Sequence, residues 1–301
     1  MAEAGVFDGI IVVAKAPGPT SHDIVALIRR LSGVKRVGHG GTLDPFAAGV
    51  LPVFVGQATR LVEYHMTDDK AYRALVAFGA RSTTDDLDGE LTQTDHQAPT
   101  RAQVEAALGA MRGEIEQVPP DYSAVRVAGR KAYELARHGE KPELRARRVT
   151  IHRIEVVAWD DADPARPVAK IEVACSAGTY IRAIARDLGD QLGSGAYLAA
   201  LTRTASGPFT IEAAHSLDEV RAALGSGRQG EMLLPMDTGL TFPELTLTPE
   251  ELVPFARGQQ LRRAGALSGE GIVRVRDGSG RLVAIARVAD GVLAPEKVFS
   301  A

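Results

Sequence analysis

Residues 38–53 read GHGGTLDPFAAGVLPV, and one acidic side chain, Asp44, stands there between Leu43 and Pro45 beside an apolar run. A carboxylate in such company is costly to bury, so it either lies on a surface turn or is kept for chemistry. Glycines this dense let the backbone approach another group closely or take up positive φ. The familiar glycine-rich chemistries do not fit. No Lys-Ser/Thr pair follows these glycines, as a phosphate-binding P-loop requires. The chain also lacks the Pro-Cys-x-x-Cys ligand set of zinc deaminases and the Gly-x-Ser-x-Gly elbow of serine hydrolases. Spacing alone leaves two readings, a tight glycine turn with Asp44 as a turn residue, or a loop that presents one carboxylate.

The elements around this stretch follow from pattern. Residues 10–14 predict a buried strand, and TSHDIVALIRRL predicts a helix capped by Thr20 or Ser21, with Ile24, Leu27, Ile28 and Leu31 on one face. Residues 70–78 alternate as a strand, placing Tyr72, Ala74, Val76 and Phe78 together. Thr100 and Gln103 mark a capping box before a helix bearing Val104, Ala107, Leu108 and Met111. RRVTIHRIEVVAW and VAKIEVACS predict a strand pair across DDADPARP, and Thr179 reads as the cap of a helix striped by Ile181, Ile184, Ala185 and Leu188. Helices and strands mix without a regular βαβ rhythm, which predicts an α+β fold with a mixed, largely antiparallel sheet flanked by helices. GIVRVRDGSGRLVAIARV predicts a hairpin, so a small β-rich domain is expected over 243–301, after a main domain over 1–242.

Composition narrows the function classes. With 45% apolar and 24% charged residues among 301, the chain is ordinary globular protein. The longest early apolar run ends at Lys15, too short for a membrane span, and no export signal precedes it. The single cysteine, Cys175, excludes disulfides within the chain and cysteine-cluster zinc sites, and it alternates with Ile171 and Val173 as a core residue; a cytoplasmic location is expected. Net charge is −3, but its distribution is uneven. Residues 126–153 hold nine Lys/Arg against three Glu, a net +6, and residues 257–287 hold seven Arg against two acids, a net +5. Separated basic zones on a weakly acidic chain suit a polyanion bound along one face, although solvated helix faces and loops read the same way.

Several motifs in order carry a resemblance. Gly38-His39-Gly40-Gly41-Thr42-Leu43-Asp44-Pro45 with Ala48-Gly49-Val50-Leu51-Pro52 is similar to the signature of the TruB-type tRNA pseudouridine synthases, which isomerise uridine 55 in the T loop. Lys15 with Thr20-Ser21-His22-Asp23, Lys70-Ala71-Tyr72-Arg73-Ala74, Pro119-Pro120-Asp121-Tyr122-Ser123-Ala124, Gly129-Arg130-Lys131-Ala132-Tyr133 and Cys175-Ser176-Ala177-Gly178-Thr179-Tyr180-Ile181-Arg182 follow in that family's order, over about residues 9–240. The last sixty residues resemble a PUA domain, a small RNA-binding β-barrel, less specifically.

The resemblance implies roles. Asp44 matches the catalytic aspartate, acting on the sugar as nucleophile or as stabiliser of a cationic or glycal species. Arg182 matches its cationic partner, and Tyr72 the tyrosine that stacks on the target base and assists removal of the C5 proton. Tyr180 and Leu201 match base-pocket residues, His39 the histidine that enters the T loop, and Asp86 an acidic position contacting the substrate region. The basic segment, an insert over about 121–153 that includes Arg126, Arg130 and Lys131, matches a part that closes over the T arm. The expected partner is thus the T arm of tRNA, bound by a monomer, with no membrane, no metal and no cofactor, because isomerisation moves no net electrons. Departures are Lys15-Ala16-Pro17-Gly18 for Lys-Pro-x-Gly, Ser82-Thr83-Thr84 for Thr-Asp-Thr, Arg126 for a lysine, and Leu201-Thr202-Arg203-Thr204 for Leu-Arg-Arg-Thr. Two other readings compete. A non-catalytic RNA-binding or RNA-folding protein could use the same scaffold. A carboxylate glycosidase would need a second acid and would not need the basic insert.

Overall fold

The computed structural model describes residues 7–95, 97–127, 129–262 and 269–299. Strand β1 (Gly9–Lys15) leads to helix α1 (Ser21–Ser32), which starts on a capping box between Thr20 and Asp23 and buries Ile24, Val25 and Ile28. Short β2 (Val37–His39) pairs with β3 (Ala48–Val55), and residues 40–47 between them form the loop that carries Asp44. Helix α2 (Val62–His65) precedes β4 (Lys70–Phe78), whose alternation holds: Ala74, Val76 and Phe78 are core, with Tyr72 partly packed against it. A side hairpin, β5 (Ala80–Ser82) and β6 (Leu91–Gln93), comes next. Helix α3 (Arg101–Ala110) starts on the Thr100–Gln103 capping box and buries Val104, Ala107 and Leu108.

After β7 (Gly113–Gln117) come a two-residue-per-strand hairpin, β8 (Arg126–Val127) and β9 (Arg130–Lys131), and the short α4 (Ala132–Arg137). Strands β10 (Arg147–Asp160) and β11 (Val168–Cys175) form the expected antiparallel pair. Then follow α5 (Ile181–Gln191), β12 (Ala196–Ser206), β13 (Phe209–Thr210), β14 (His215–Ser216) and α6 (Leu217–Gly225). The strands make a ten-stranded sheet in the order β14-β1-β3-β12-β4-β11-β10-β7, with β2 beside β3 and β13 beside β12. Only β1 with β14 and β3 with β12 run parallel, so the mixed, largely antiparallel α+β sheet is as the sequence predicts. Helices α1, α3, α5 and α6 bury their apolar stripes in one core cluster with this sheet.

Two expectations are corrected here. Thr179 does not cap α5: its Oγ1 donates to Ser176 O at 2.9 Å, and Tyr180 is the N-cap residue. The basic segment is not one excursion either, because Arg147, Arg148 and Arg153 lie on β10 in the main sheet.

Beyond residue 243 stand β15 (Glu244–Thr246), α7 (Pro249–Ala256), β16 (Leu261–Arg262), β17 (Gly271–Arg276), β18 (Leu282–Ala289) and β19 (Val292–Val298). The predicted hairpin is β17–β18, within a five-stranded sheet ordered β15-β17-β18-β19-β16. This sheet has its own apolar cluster around Phe255, Val275 and Leu293, and meets the main unit where Leu282, Ile285 and Phe299 pack with Leu61 and Leu240. Lys297 with Glu63, and Arg60 with Val298 O, add polar ties. No helix among the described residues is long and apolar enough to cross a membrane.

Candidate active site

The loop between β2 and β3 is tied down on both sides of Asp44. Ser21 Oγ accepts from Leu43 N at 2.9 Å and donates to Leu43 O at 3.2 Å, seating Leu43 in the core. On the other side Lys15 Nζ donates to Ala47 O at 2.6 Å, and to Pro45 O and Ala16 O at 3.1 Å each, while Gly18 N donates to Pro45 O at 2.8 Å. Lys15 is only 2% exposed, and burial pulls its pKa down to about 8 against the opposing pull of Asp44. Gly41 takes φ 131°, a conformation side-chain-bearing residues resist, to turn the chain ahead of Asp44. The flanking Leu43 and Pro45 thus anchor the loop while the Asp44 side chain stays 35% exposed to the cleft.

Arg182, in the first turn of α5, meets that carboxylate. Its Nε stands 3.0 Å from Asp44 Oδ2, and its Nη1 3.2 Å from Asp86 Oδ2. Nη1 also donates to Thr84 O at 3.1 Å and Nη2 to Tyr122 O at 2.9 Å. One planar fork therefore binds two carboxylates and two carbonyls from three separate segments. Asp86 is buried and outside the pocket lining, so the expected contact with substrate gives way to a place behind Arg182. Thr84 Oγ1 donates to its carboxylate, as does Asp88 N at 3.0 Å, and burial raises its pKa against these bonds.

These groups face a cavity of about 280 Å³ lined by Asp44, Tyr72, Ser123, Tyr180, Leu201 and Arg203 among others. Tyr72 projects from β4, with burial raising its hydroxyl pKa against the opposing Arg203 charge. Tyr180 is clamped by Gln117, which accepts from Tyr180 N at 2.8 Å and donates to its carbonyl at 3.1 Å, and the Arg147 guanidinium stacks 4.4 Å from its ring centroid. Leu201 is a core residue that reaches the cavity wall.

The remaining expected residues, assigned to the T loop and T arm rather than to the base pocket, stand outside the cavity. His39 lies at the cavity's margin without lining it, half-buried, with its ring edge-on to His22 at 5.4 Å and Nδ1 accepting from Gly41 N at 3.3 Å. Burial, with the His22 charge, holds its pKa below the usual histidine range. Arg126, Arg130 and Lys131 also stand away from the cavity. Arg126 is exposed and donates to Gly129 O, Arg130 pairs with Glu140 at 3.1 Å, and Lys131 donates to Tyr133 Oη at 3.3 Å.

Sequence reasoning missed three contributors. Lys15 was matched by motif without a role, Ser123 presents a buried Oγ with no hydrogen-bond partner to the cavity, and Arg203 is a buried cation beneath it. For Arg203 the signal was its place two residues beyond Leu201 on a strand with one buried face.

One carboxylate lines this cavity among the described residues, and the nearest second acid is spent behind Arg182. A two-carboxylate glycosidase needs a free second acid, so that reading falls. What the sheet defines is the pseudouridine synthase fold, with a cleft that holds one acid beside a guanidinium. The solved structures agree: an H/ACA RNP bound to a substrate RNA containing 2'-deoxyuridine has a chain 25% identical that superposes with TM-score 0.73, over 98% of this chain and 86% of the other. A Cbf5-Nop10-Gar1 complex gives TM-score 0.71 at 26% identity, over 97% and 85%.

Residues 29–181 match the N-terminal domain model of the TruB family pseudouridylate synthases, 182–241 the tRNA pseudouridylate synthase B C-terminal domain, and 243–299 the pseudouridine synthase II TruB C-terminal model. The tRNA pseudouridine synthase B of Moorella thermoacetica is 45% identical over 93% of each chain, and that of Thermobifida fusca 43% over 97% of this chain and 99% of the relative. That of Symbiobacterium thermophilum is 51% identical over 73% of each chain. This chain belongs to the TruB family.

Proposed function

We propose that the chain converts uridine 55 in the T loop of tRNA to pseudouridine. The observation that carries this reading is the Asp44–Arg182 pair at the cavity, with Asp44 still open to an entering ribose. The bond from C1′ to N1 breaks, the detached uracil turns, and C1′ joins C5. Asp44 acts at C1′ as nucleophile or as stabiliser of the electron-poor sugar, and either role needs its charged form beside Arg182. Tyr72, Tyr180 and Leu201 give the base aromatic and apolar walls to lie against, and Tyr72 assists loss of the C5 proton.

Access requires everting the nucleotide from its stack, at a cost of about a few kcal/mol. Contacts outside the cavity offset that cost in this reading: His39 at the margin, the basic residues of the insert over about 121–146, and the exposed Arg148 beside it. Phosphate neutralisation by these cations makes affinity fall with salt. A catalytic unit over 1–242 and a PUA-like RNA-binding unit over 243–301 are part of the proposal, supported by the separate sheet and apolar cluster of the latter. The chain acts as a monomer in the cytoplasm; one copy supplies the groups around the cavity. The chemistry needs no cofactor, since no electrons are gained or lost.

The test is release of tritium from 5-tritiated uridine in a T-arm RNA. The protein is expected to release label stoichiometrically from the loop uridine and not from a linear RNA of the same composition. Equal release from both, or none, overturns the proposal.

A further inference from the structure

Arg203 has no ordinary reason to be where it is. It is 2% exposed, and no carboxylate among the described residues forms an ion pair with it. Its Nε donates to Val50 O at 2.8 Å, Nη2 to Gly41 O at 3.1 Å and Nη1 to Thr42 O at 3.4 Å. Three carbonyls ease the desolvation of a guanidinium without cancelling its charge, and a buried cation without a countercharge is destabilising. Its position is held by the sheet itself. Arg203 lies directly across from Tyr72 in the β12–β4 pairing and beside Gly49 in the parallel β12–β3 pairing. A Cβ at Gly49 would stand 2.2 Å from Arg203 O, so that glycine admits the close approach.

The same guanidinium therefore stands beside both halves of the site. Through Gly41 and Thr42 it holds the turn leading into Asp44, and in the strand pairing Arg203 stands directly opposite Tyr72, both residues lining the cavity. Burial and the Asp44 carboxylate disfavour ionisation of the Tyr72 hydroxyl, the Arg203 charge favours it, and the nearby Cys175 is a neutral thiol whose pKa burial raises to about 11.

Pseudouridine formation creates a matching need, on the functional reading given above. When the C1′–N1 bond breaks, its electron pair leaves with the base, and uracil is then an anion with no covalent hold. The pair that later joins C1′ comes from C5, and as the C5 proton leaves to water N1 takes one up from water, so atoms and charge balance and no oxidant or reductant is involved. We propose that Arg203 is a positioning residue that acts through Tyr72, fixing and polarising its hydroxyl as a strengthened donor at the cavity wall while the detached uracil is anionic. Fixed donors aimed at developing charge in a water-poor site are an effective form of catalysis.

A double-mutant cycle tests this, with single-turnover isomerisation of T-arm RNA under a saturating excess of protein as the readout. Arg203→Met is expected to slow turnover by about 10- to 100-fold with RNA affinity changed less than about threefold. Combined with Tyr72→Phe it is expected to add no more than about a twofold loss, because the path runs through the hydroxyl. The alkaline tyrosinate absorbance assigned to Tyr72, by its loss in Tyr72→Phe, is expected to move to higher pH in Arg203→Met. A merely structural clamp gives the opposite pattern, in which the two losses multiply and the Tyr72 titration stays in place; either result overturns the proposal. Arg203→Gln supplies the same comparisons if the methionine variant does not fold. The Tyr72 titration uses no RNA, so it decides the Arg203–Tyr72 link even if the wild-type protein proves inactive and the functional reading fails.

Discussion

Arg182 shows how much one side chain at this site must do. It joins Asp44 to Asp86 and ties Thr84 O and Tyr122 O into the same plane. Removing it leaves Asp86 buried without its cation, so Arg182→Met is expected to lower stability by about 3–5 kcal/mol in urea unfolding, besides abolishing turnover. Ser123 presents the reverse case. Its buried Oγ has no hydrogen-bond partner among the described residues, and an apolar replacement relieves that. Ser123→Ala is expected to raise the Tm slightly while lowering kcat/KM several-fold, as about 1 kcal/mol of substrate hydrogen bonding is lost. A rise in both would place the hydroxyl outside substrate contact. Asp44 and Arg182 were singled out by the family resemblance of their motifs, since spacing alone left Asp44 open to a turn and gave Arg182 no role. Ser123 and Arg203 were not, because their meaning depends on which face and which cavity they reach, and register alone settles that.

At the scale of elements, the apolar periodicity, the Thr100–Gln103 capping box and a cap at Thr20 or Ser21 could be read directly, since each is a local pattern within a few residues, and the structure places the cap at Thr20 with Asp23 closing the box. The start of α5 could not. Its N-cap is held by Gln117, 63 residues away on β7, and Thr179 is turned back to Ser176. The parallel contact of β3 with β12 is equally non-local, and it rests on Gly49 at φ 114°. Gly49→Ala is expected to cost more than about 3 kcal/mol or to prevent folding, judged by thermal unfolding, because backbone of β12 occupies the space.

Lys15 ties β1 to the Asp44 loop with a depressed pKa, so the native state binds fewer protons than the unfolded chain between about pH 8 and the ordinary lysine value of 10.5. Stability relative to Lys15→Met is therefore expected to rise as pH climbs through that window and to be lost as pH falls through about 8. A stability difference flat across that range would show that burial does not perturb the amine.

Across the whole molecule, the sheet places the cavity near its middle strands β3, β12 and β4, while the basic segment projects from its β7–β10 edge. The segment's charge was legible from composition and the strand RRVTIHRIEVVAW from its pattern, but the expected insert over about 121–153 overlapped that strand, and the structure assigns the shared residues to β10. Arg147 faces inward onto Tyr180, while Arg145 and Arg148 are exposed, Arg148 standing 3.6 Å from Glu114. Neutralising those two to Gln is expected to reduce the slope of log affinity against log salt by about 1–2, measured by filter binding. An unchanged slope would mean that this edge faces solvent in the complex.

The most direct measurement compares the wild-type protein with Asp44→Asn on one 5-tritiated T-arm RNA, following tritium release and binding together. The account predicts that the variant releases no label above background while holding the RNA within about tenfold of wild-type affinity, about 1.4 kcal/mol. Release by Asp44→Asn at a rate near that of the wild type would contradict it.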